Sequence, residues 1–195
     1  RNRTDPFAGG FETPILSGWR HPLFAVPMTC YNAFIGVNGM RMLFKQRFFS
    51  WLDSYDIYDE EGNTLFTVRG VLAWGHCLKI FDAGGRYIGM VKEKVLSLLP
   101  RFEVYLGEEY AGVIRKEFTF FKPKFDIDLN GWRVEGDWLE WNYQVLDGDR
   151  VAARGSKEIW RWTDTYQIET GRDEDALMAL MVVLAIDAAK CGQGR

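Results

Sequence analysis

The residues of this chain best placed to do chemistry are cations. Lys92 and Lys94 stand two apart, and so do Lys122 and Lys124 with Pro123 between them. On an extended chain each pair therefore shares one face. Arg101, Arg115 and Lys116 lie between the two pairs. The stretch from 92 to 124 holds seven cations against five acids (Glu93, Glu103, Glu108, Glu109, Glu117), a local +2 in a chain of net charge -3. An anionic headgroup would suit such a cluster, each cation near a charged membrane surface contributing about 1 kcal/mol. The same residues also read as ordinary solvated strand faces, with the interleaved glutamates as partners.

Other chemistry finds less support. A net charge of -3 and a pI near 5.5 argue against a general nucleic-acid binder, which needs a basic face to neutralise phosphates. The three cysteines, Cys30, Cys77 and Cys191, are far apart and form no CxxC pair, so they suggest neither a disulfide framework nor a zinc site. Reduced thiols in a cytoplasmic protein are the plain reading. His76 precedes Cys77, but neighbours on a strand point to opposite faces and would not share a metal. No metal and no cofactor is expected. His76 reads as satisfied or solvent-facing, and His21 lies in a proline-rich opening that reads as flexible.

The common catalytic signatures are missing: there is no GxSxG, HExxH, GxxxxGK[ST] or GxGxxG after a strand. The acids of WLDSYDIYDEEGN and GDWLEW fall at turns and outward strand positions, which reads as solubility and turn chemistry. Nothing singles out two of them as a hydrolytic pair. The chain therefore reads as non-enzymatic. Trp51, Trp74, Trp132, Trp138, Trp141, Trp160 and Trp162 supply a different surface, since tryptophan is favoured at protein interfaces and equally as barrel filling. A purely structural or protein-partner role is thus the alternative to an anionic ligand.

The elements that must position these residues are legible as a repeat. SYDIYDEEGNTLFTVRG, residues 54 to 70, alternates apolar and polar residues on both sides of DEEG, the pattern of a β-hairpin. The phrase returns at 78 to 94, 102 to 118, 125 to 136 and 143 to 158. Its turns fall near Asp59, Asp82, Leu106, Asp128 and Asp147, where Asp, Asn and Gly suit tight hairpins. With LFKQRFFSW before them and TDTYQIE after them, the copies predict about twelve strands over residues 41 to 169. So long a meander must curl or close, and a closed barrel removes the unpaired edges. A propeller would need more chain, because each blade takes roughly 40 to 45 residues.

ALMALMVVLAIDAAKC, residues 176 to 191, follows the strands, with Asp173, Glu174 and Asp175 before it and Lys190 near its end. Acids in the first turn and a cation in the last suit the helix dipole. Leu177, Leu180, Met181 and Leu184 belong to an apolar surface that runs all round the helix, so the helix must be buried. Spanning hydrocarbon takes about 20 apolar residues, and Asp187 interrupts this run too early. No transmembrane segment is expected. The predicted helix, 174 to 190, fills the barrel lumen instead. LSLLP at 96 to 100 and TFFKP at 119 to 123 are read as core strands ending at proline, because such a barrel needs many inward side chains. Were they exposed, they would dip into a bilayer interface.

This architecture resembles the tubby C-terminal domain. MLFKQRFFSWLDSYDIYDEEGN, WGHCLKIFD, KEFTFFKPKFDID, WTDTYQIE and ALMALMVVLAIDAAKC, in that order, resemble the bacterial branch of the LURP-one-related family. Its members look like relatives of tubby proteins and phospholipid scramblases, most without an assigned activity. The resemblance implies a scaffold or binding module contacting anionic phospholipid, since tubby domains bind phosphoinositide headgroups through surface Lys and Arg. No tubby headgroup motif matches here residue by residue. The resemblance covers residues 40 to 191. Residues 1 to 39, interrupted by Pro6, Pro14, Pro22 and Pro27, read as a poorly ordered or non-native extension. The run LFAVPMTC within them fails as a secretory signal.

Overall fold

Alternation of buried and exposed side chains sets strands such as RFEVYL. In RFEVYL, Phe102 and Val104 are fully buried while Arg101, Glu103 and Tyr105 stay partly exposed on the other face. The computed structural model describes residues 39–45, 54–117, 124–129, 131–137, 140–160 and 163–191. It contains β1 (Arg41–Lys45), β2 (Ser54–Tyr58), β3 (Thr64–Gly70), β4 (Cys77–Asp82), β5 (Tyr87–Glu93) and β6 (Arg101–Leu106). These are followed by β7 (Glu109–Glu117), β8 (Lys124–Asp128), β9 (Trp132–Asp137), β10 (Asn142–Asp147), β11 (Arg150–Trp160) and β12 (Thr163–Thr170). A 3₁₀ turn over Asp173–Asp175 leads into helix α1 (Ala176–Cys191).

The strands close into one antiparallel barrel, each paired with its neighbour in sequence and β1 paired with β12. The fold is the closed twelve-strand barrel with a C-terminal helix that the hairpin repeat predicts. Turn acids do the work expected of them. Asp59 accepts from the backbone N–H of Asn63 at 2.7 Å, and Asp82 from those of Gly84 and Arg86 at 3.0 and 2.9 Å. These bonds to the ionised form hold both carboxyls below their ordinary range, the largest cause being the Asn63 side chain for Asp59 and the Arg86 N–H for Asp82. Closure is uneven. β1 runs along β12 from Arg41↔Glu169 to Lys45↔Thr165, yet among the described residues it meets β2 only at Leu43↔Tyr58.

Helix α1 is buried among the strands, and its side chains from Ala179 to Ile186 form one core with Phe102, Ile114, Ile127 and Ile168. Leu180, Met181 and Leu184 are buried, and Leu177 is partly so. Gly89 makes room on β5: a Cβ there would stand 2.3 Å from the Met181 methyl. The first turn is pinned by Arg150, whose guanidinium donates to Asp175 at 2.5 Å and to Asp147 at 2.7 Å. At the other end Lys190 lies 4.7 Å from the centre of the Trp141 ring, which packs with Phe44, Tyr143 and Tyr166. At 1.5 Å per residue the helix is about 24 Å long, short of a hydrocarbon core of about 30 Å. No helix among the described residues is long and apolar enough to cross a membrane.

One polar group interrupts the apolar helix. Asp187 is only 6% exposed, and burial pushes its carboxyl up to about 7 despite Lys190 one turn on. Burial, helped by the charge of Asp187, also raises the phenols of Tyr55 and Tyr143.

Candidate functional site

β5, β6, β7 and β8 form one continuous stretch of wall, and most of the predicted cations fall on it. Lys92 is exposed and stands opposite Glu103, which Lys94 contacts at 3.1 Å. Lys94 is therefore partnered as a solvated strand face would be. The Glu103 carboxyl lies below its ordinary range: burial opposes this, and the bonds from Lys94 and Tyr105 outweigh it. Arg101 and Arg115 face each other directly across β6 and β7. Arg115 donates to Asp128 on β8 at 2.9 Å, with Asp126 at 3.9 Å. Arg101 forms no ion pair among the described residues, and its Nε is buried without a hydrogen-bond partner there. Like charges opposed across a strand pair are destabilising, and here Asp126 and Asp128 offset Arg115 while no described carboxylate pairs with Arg101.

Lys116 follows Arg115 and stands opposite the core residue Phe125, where burial lowers its pKa. The N–H of Lys116 donates to the carbonyl of Pro100 at 3.0 Å, and that of Lys94 to the carbonyl of Arg101 at 2.8 Å. These bonds carry the ladder past the strand ends and fix the base of the 94–100 connection. Between that connection and Arg101, Arg115 and Lys116 lies an open recess of about 390 Å³. Lys122 lies outside the described residues, as does the TFFKP segment. Lys124 begins β8 opposite Glu117 in register, its side chain likewise outside the description. The site thus gathers Arg101, Arg115 and Lys116, with Lys92 and Lys94 further along the wall.

The LSLLP reading is corrected. Leu96 and Leu98 are fully exposed, and Val95 is half exposed. The physical reason lies in the repeat: hairpins at 78 to 94 and 102 to 118 leave 95 to 101 as a connection, so it has no inward face to fill. The 71–76 connection behaves alike, with Leu72 84% and Trp74 92% exposed. β3 and β5 run toward the same end of the barrel, so the two connections emerge together. They also touch. His76 donates its N–H to a Glu93 carboxylate oxygen at 3.0 Å and accepts from the Glu93 N–H at 2.6 Å. The Glu93 carboxylate lies 3.5 Å from the His76 ring as well, so His76 is a partnered histidine. Sequence reasoning missed Leu72 altogether, and weighed Trp74 only as one of seven among the chain's eight tryptophans. Trp132 and Trp141, by contrast, are core.

A second cavity of about 610 Å³ opens at the thinly paired β1–β2 seam, lined in part by Tyr55, Asp56, Asp59 and Glu60. Its acids are already engaged: Asp56 with Thr67, Asp59 with Asn63, Glu60 with Arg41. Among the described residues no group of three or more His, Cys, Asp or Glu is placed to hold a metal ion.

A family model described as LURP-one-related matches residues 40–187. The chain belongs to the LURP-one-related family. An uncharacterized protein of Bacillus subtilis (strain 168), YxjI, is 32% identical over 149 residues, covering 76% of this chain and 92% of that protein. That likeness places the chain with bacterial LURP-one-related proteins. An X-ray structure of a protein from Arabidopsis thaliana superposes with a TM-score of 0.54 at 19% identity, over 80% of this chain and 94% of that one. At that identity the likeness is one of fold alone.

Proposed function

We propose that this LURP-one-related barrel is a non-enzymatic, tubby-like binding module of the cytoplasm that works at the membrane periphery. Its ligand is the phosphate of an anionic phospholipid headgroup, taken in the recess beside Arg101, Arg115 and Lys116. The observation that carries the reading is the direct opposition of Arg101 and Arg115, with no carboxylate pairing Arg101 among the described residues. An anion between the two guanidiniums removes that repulsion, and guanidinium–phosphate pairs are strong, commonly bidentate contacts.

Liposome co-sedimentation tests it, using neutral and anionic vesicles at roughly 0.05 and 0.5 M salt. Binding should require the anionic lipid, fade with salt, and be lost in Arg101→Gln/Arg115→Gln. Equal sedimentation of that variant and the parent chain would refute the site. A protein partner is the second reading, favoured by the exposure of Trp74. It predicts an interaction that survives 0.5 M salt, about five times the ionic strength at which screening sets in over 10 Å.

A further inference from the structure

Six of the eight large apolar side chains exposed among the described residues lie on the two touching connections: Val71, Leu72, Trp74, Val95, Leu96 and Leu98. Soluble proteins scatter such residues singly; a contiguous group marks a surface that is covered in use. Cations line the same end. Arg101, Arg115 and Lys116 share the recess with Leu96 and Leu98, and Lys92 lies on the wall beside them.

We infer that this end of the barrel docks on an anionic bilayer by inserting Leu72, Trp74, Leu96 and Leu98 into the interface. The inference rests on the headgroup reading and deepens it, because it names a membrane surface rather than a free phosphate compound as the source of the anion. Three observations favour a bilayer over other occupants. Leu72, Leu96 and Leu98 stay almost wholly exposed, Leu96 and Leu98 even where they edge the recess, which suits a fluid partner without a matching shape. Trp74 is exposed beside them, and tryptophan sits at the level of lipid headgroups, apolar ring below and N–H toward water. A second copy of the chain fits poorly, because a two-fold interface would bring the same cations face to face. The barrel then stands on the membrane with the Lys190 end of α1 toward the lipid, since β5 and the helix both run to that end.

The test uses the full chain with vesicles of phosphatidylcholine, alone or mixed with phosphatidylserine, carrying brominated acyl chains that quench tryptophan at contact. Emission of the parent chain should be quenched on mixed vesicles, and Trp74→Phe should lose most of that quenching. Leu96→Asp/Leu98→Asp, at two fully exposed positions, should keep the parent melting temperature and weaken vesicle binding at least about tenfold. Salt-sensitive binding without quenching, unchanged in the leucine variant, would overturn insertion and leave the headgroup site standing. Quenching that is equal on neutral vesicles and indifferent to Arg101→Gln/Arg115→Gln would uphold insertion and remove the headgroup site. No binding to either vesicle overturns both. Self-association of the parent chain that disappears in the leucine variant, with no vesicle binding, would assign the patch to a second copy and overturn the proposal.

Discussion

Gly75 packs directly on Val95: a methyl group added to Gly75 would stand 2.5 Å from a Val95 methyl, on a backbone whose φ is +93. This contact joins the 71–76 and 94–100 connections into one surface, and it tolerates no side chain. Two penalties follow for Gly75→Ala, the left-handed backbone at about 1 kcal/mol and the overlap at about 1 to 3 kcal/mol. Gly85 separates them, having φ +79 but nothing within 4 Å of an added Cβ. Denaturant midpoints should show Gly75→Ala losing clearly more stability than Gly85→Ala. Equal losses would mean that the two connections yield independently.

Leu180 carries the central-helix architecture most directly, since it is fully buried in the second turn of α1. A lone charge there costs several kcal/mol against a domain stability of about 5 to 15 kcal/mol. Leu180→Asp should therefore abolish soluble folded protein, whereas the volume-conserving Leu180→Met should lose less than about 1.5 kcal/mol. Soluble yield and circular dichroism melting read both. A soluble Leu180→Asp protein with the parent melting temperature would dismiss the buried helix.

The contrast between Leu180 and Leu98 shows how far the sequence could be read. Period-two alternation and turn chemistry repeat five times, so strand number, order and closure were all legible. An eleven-residue apolar run with flanking charge likewise declared its own burial. Leu96 and Leu98 carry no such pattern: an apolar run between two strands looks the same whether it faces a core or a bilayer. Only the hairpin spacing on either side marks 95 to 101 as a connection. The opposition of Arg101 and Arg115 was illegible for another reason. It depends on the register between β6 and β7, which shifts between Val104 and Tyr105, and such a shift cannot be counted from residue spacing. The burial of Glu169, held by Arg41 and Gln167, is likewise a product of closure between the first strand and the last.

Arg150 ties the entry of α1 to the β10–β11 turn, bridging Asp147 and the largely buried Asp175. Arg150→Ala leaves the Asp175 carboxylate without its counter-charge, and the loss should be on the order of 2 kcal/mol, below the range for a fully buried pair because Arg150 is part exposed. Arg172 offers the control, paired with Glu174 at 3.1 Å but on the open surface. Its replacement by alanine should change stability by about 0 to 1 kcal/mol. Urea titration of both variants decides the matter: parity between them would deny Arg150 a role in seating the helix.

Asp187 makes stability depend on pH in the direction opposite to an ordinary paired carboxylate. Its folded pKa of about 7 lies above the ordinary 3.8, so the folded state binds the proton more tightly than the unfolded chain. The stabilising contribution is complete below pH 3.8 and is lost as pH rises to about 7. At 1.36 kcal/mol per pKa unit the loss is up to about 4 kcal/mol. Lys190 already opposes the shift, and the phenols of Tyr55 and Tyr143 stay neutral across the window. Asp187→Asn removes the titration, so urea midpoints at pH 5 and pH 8 should differ less than they do in the parent chain, with the gain largest at pH 8. A variant whose pH dependence parallels the parent's would place the titrating group elsewhere. The variant's larger gain on the alkaline side would show that burial disfavours the ionised form of the helix's one acid.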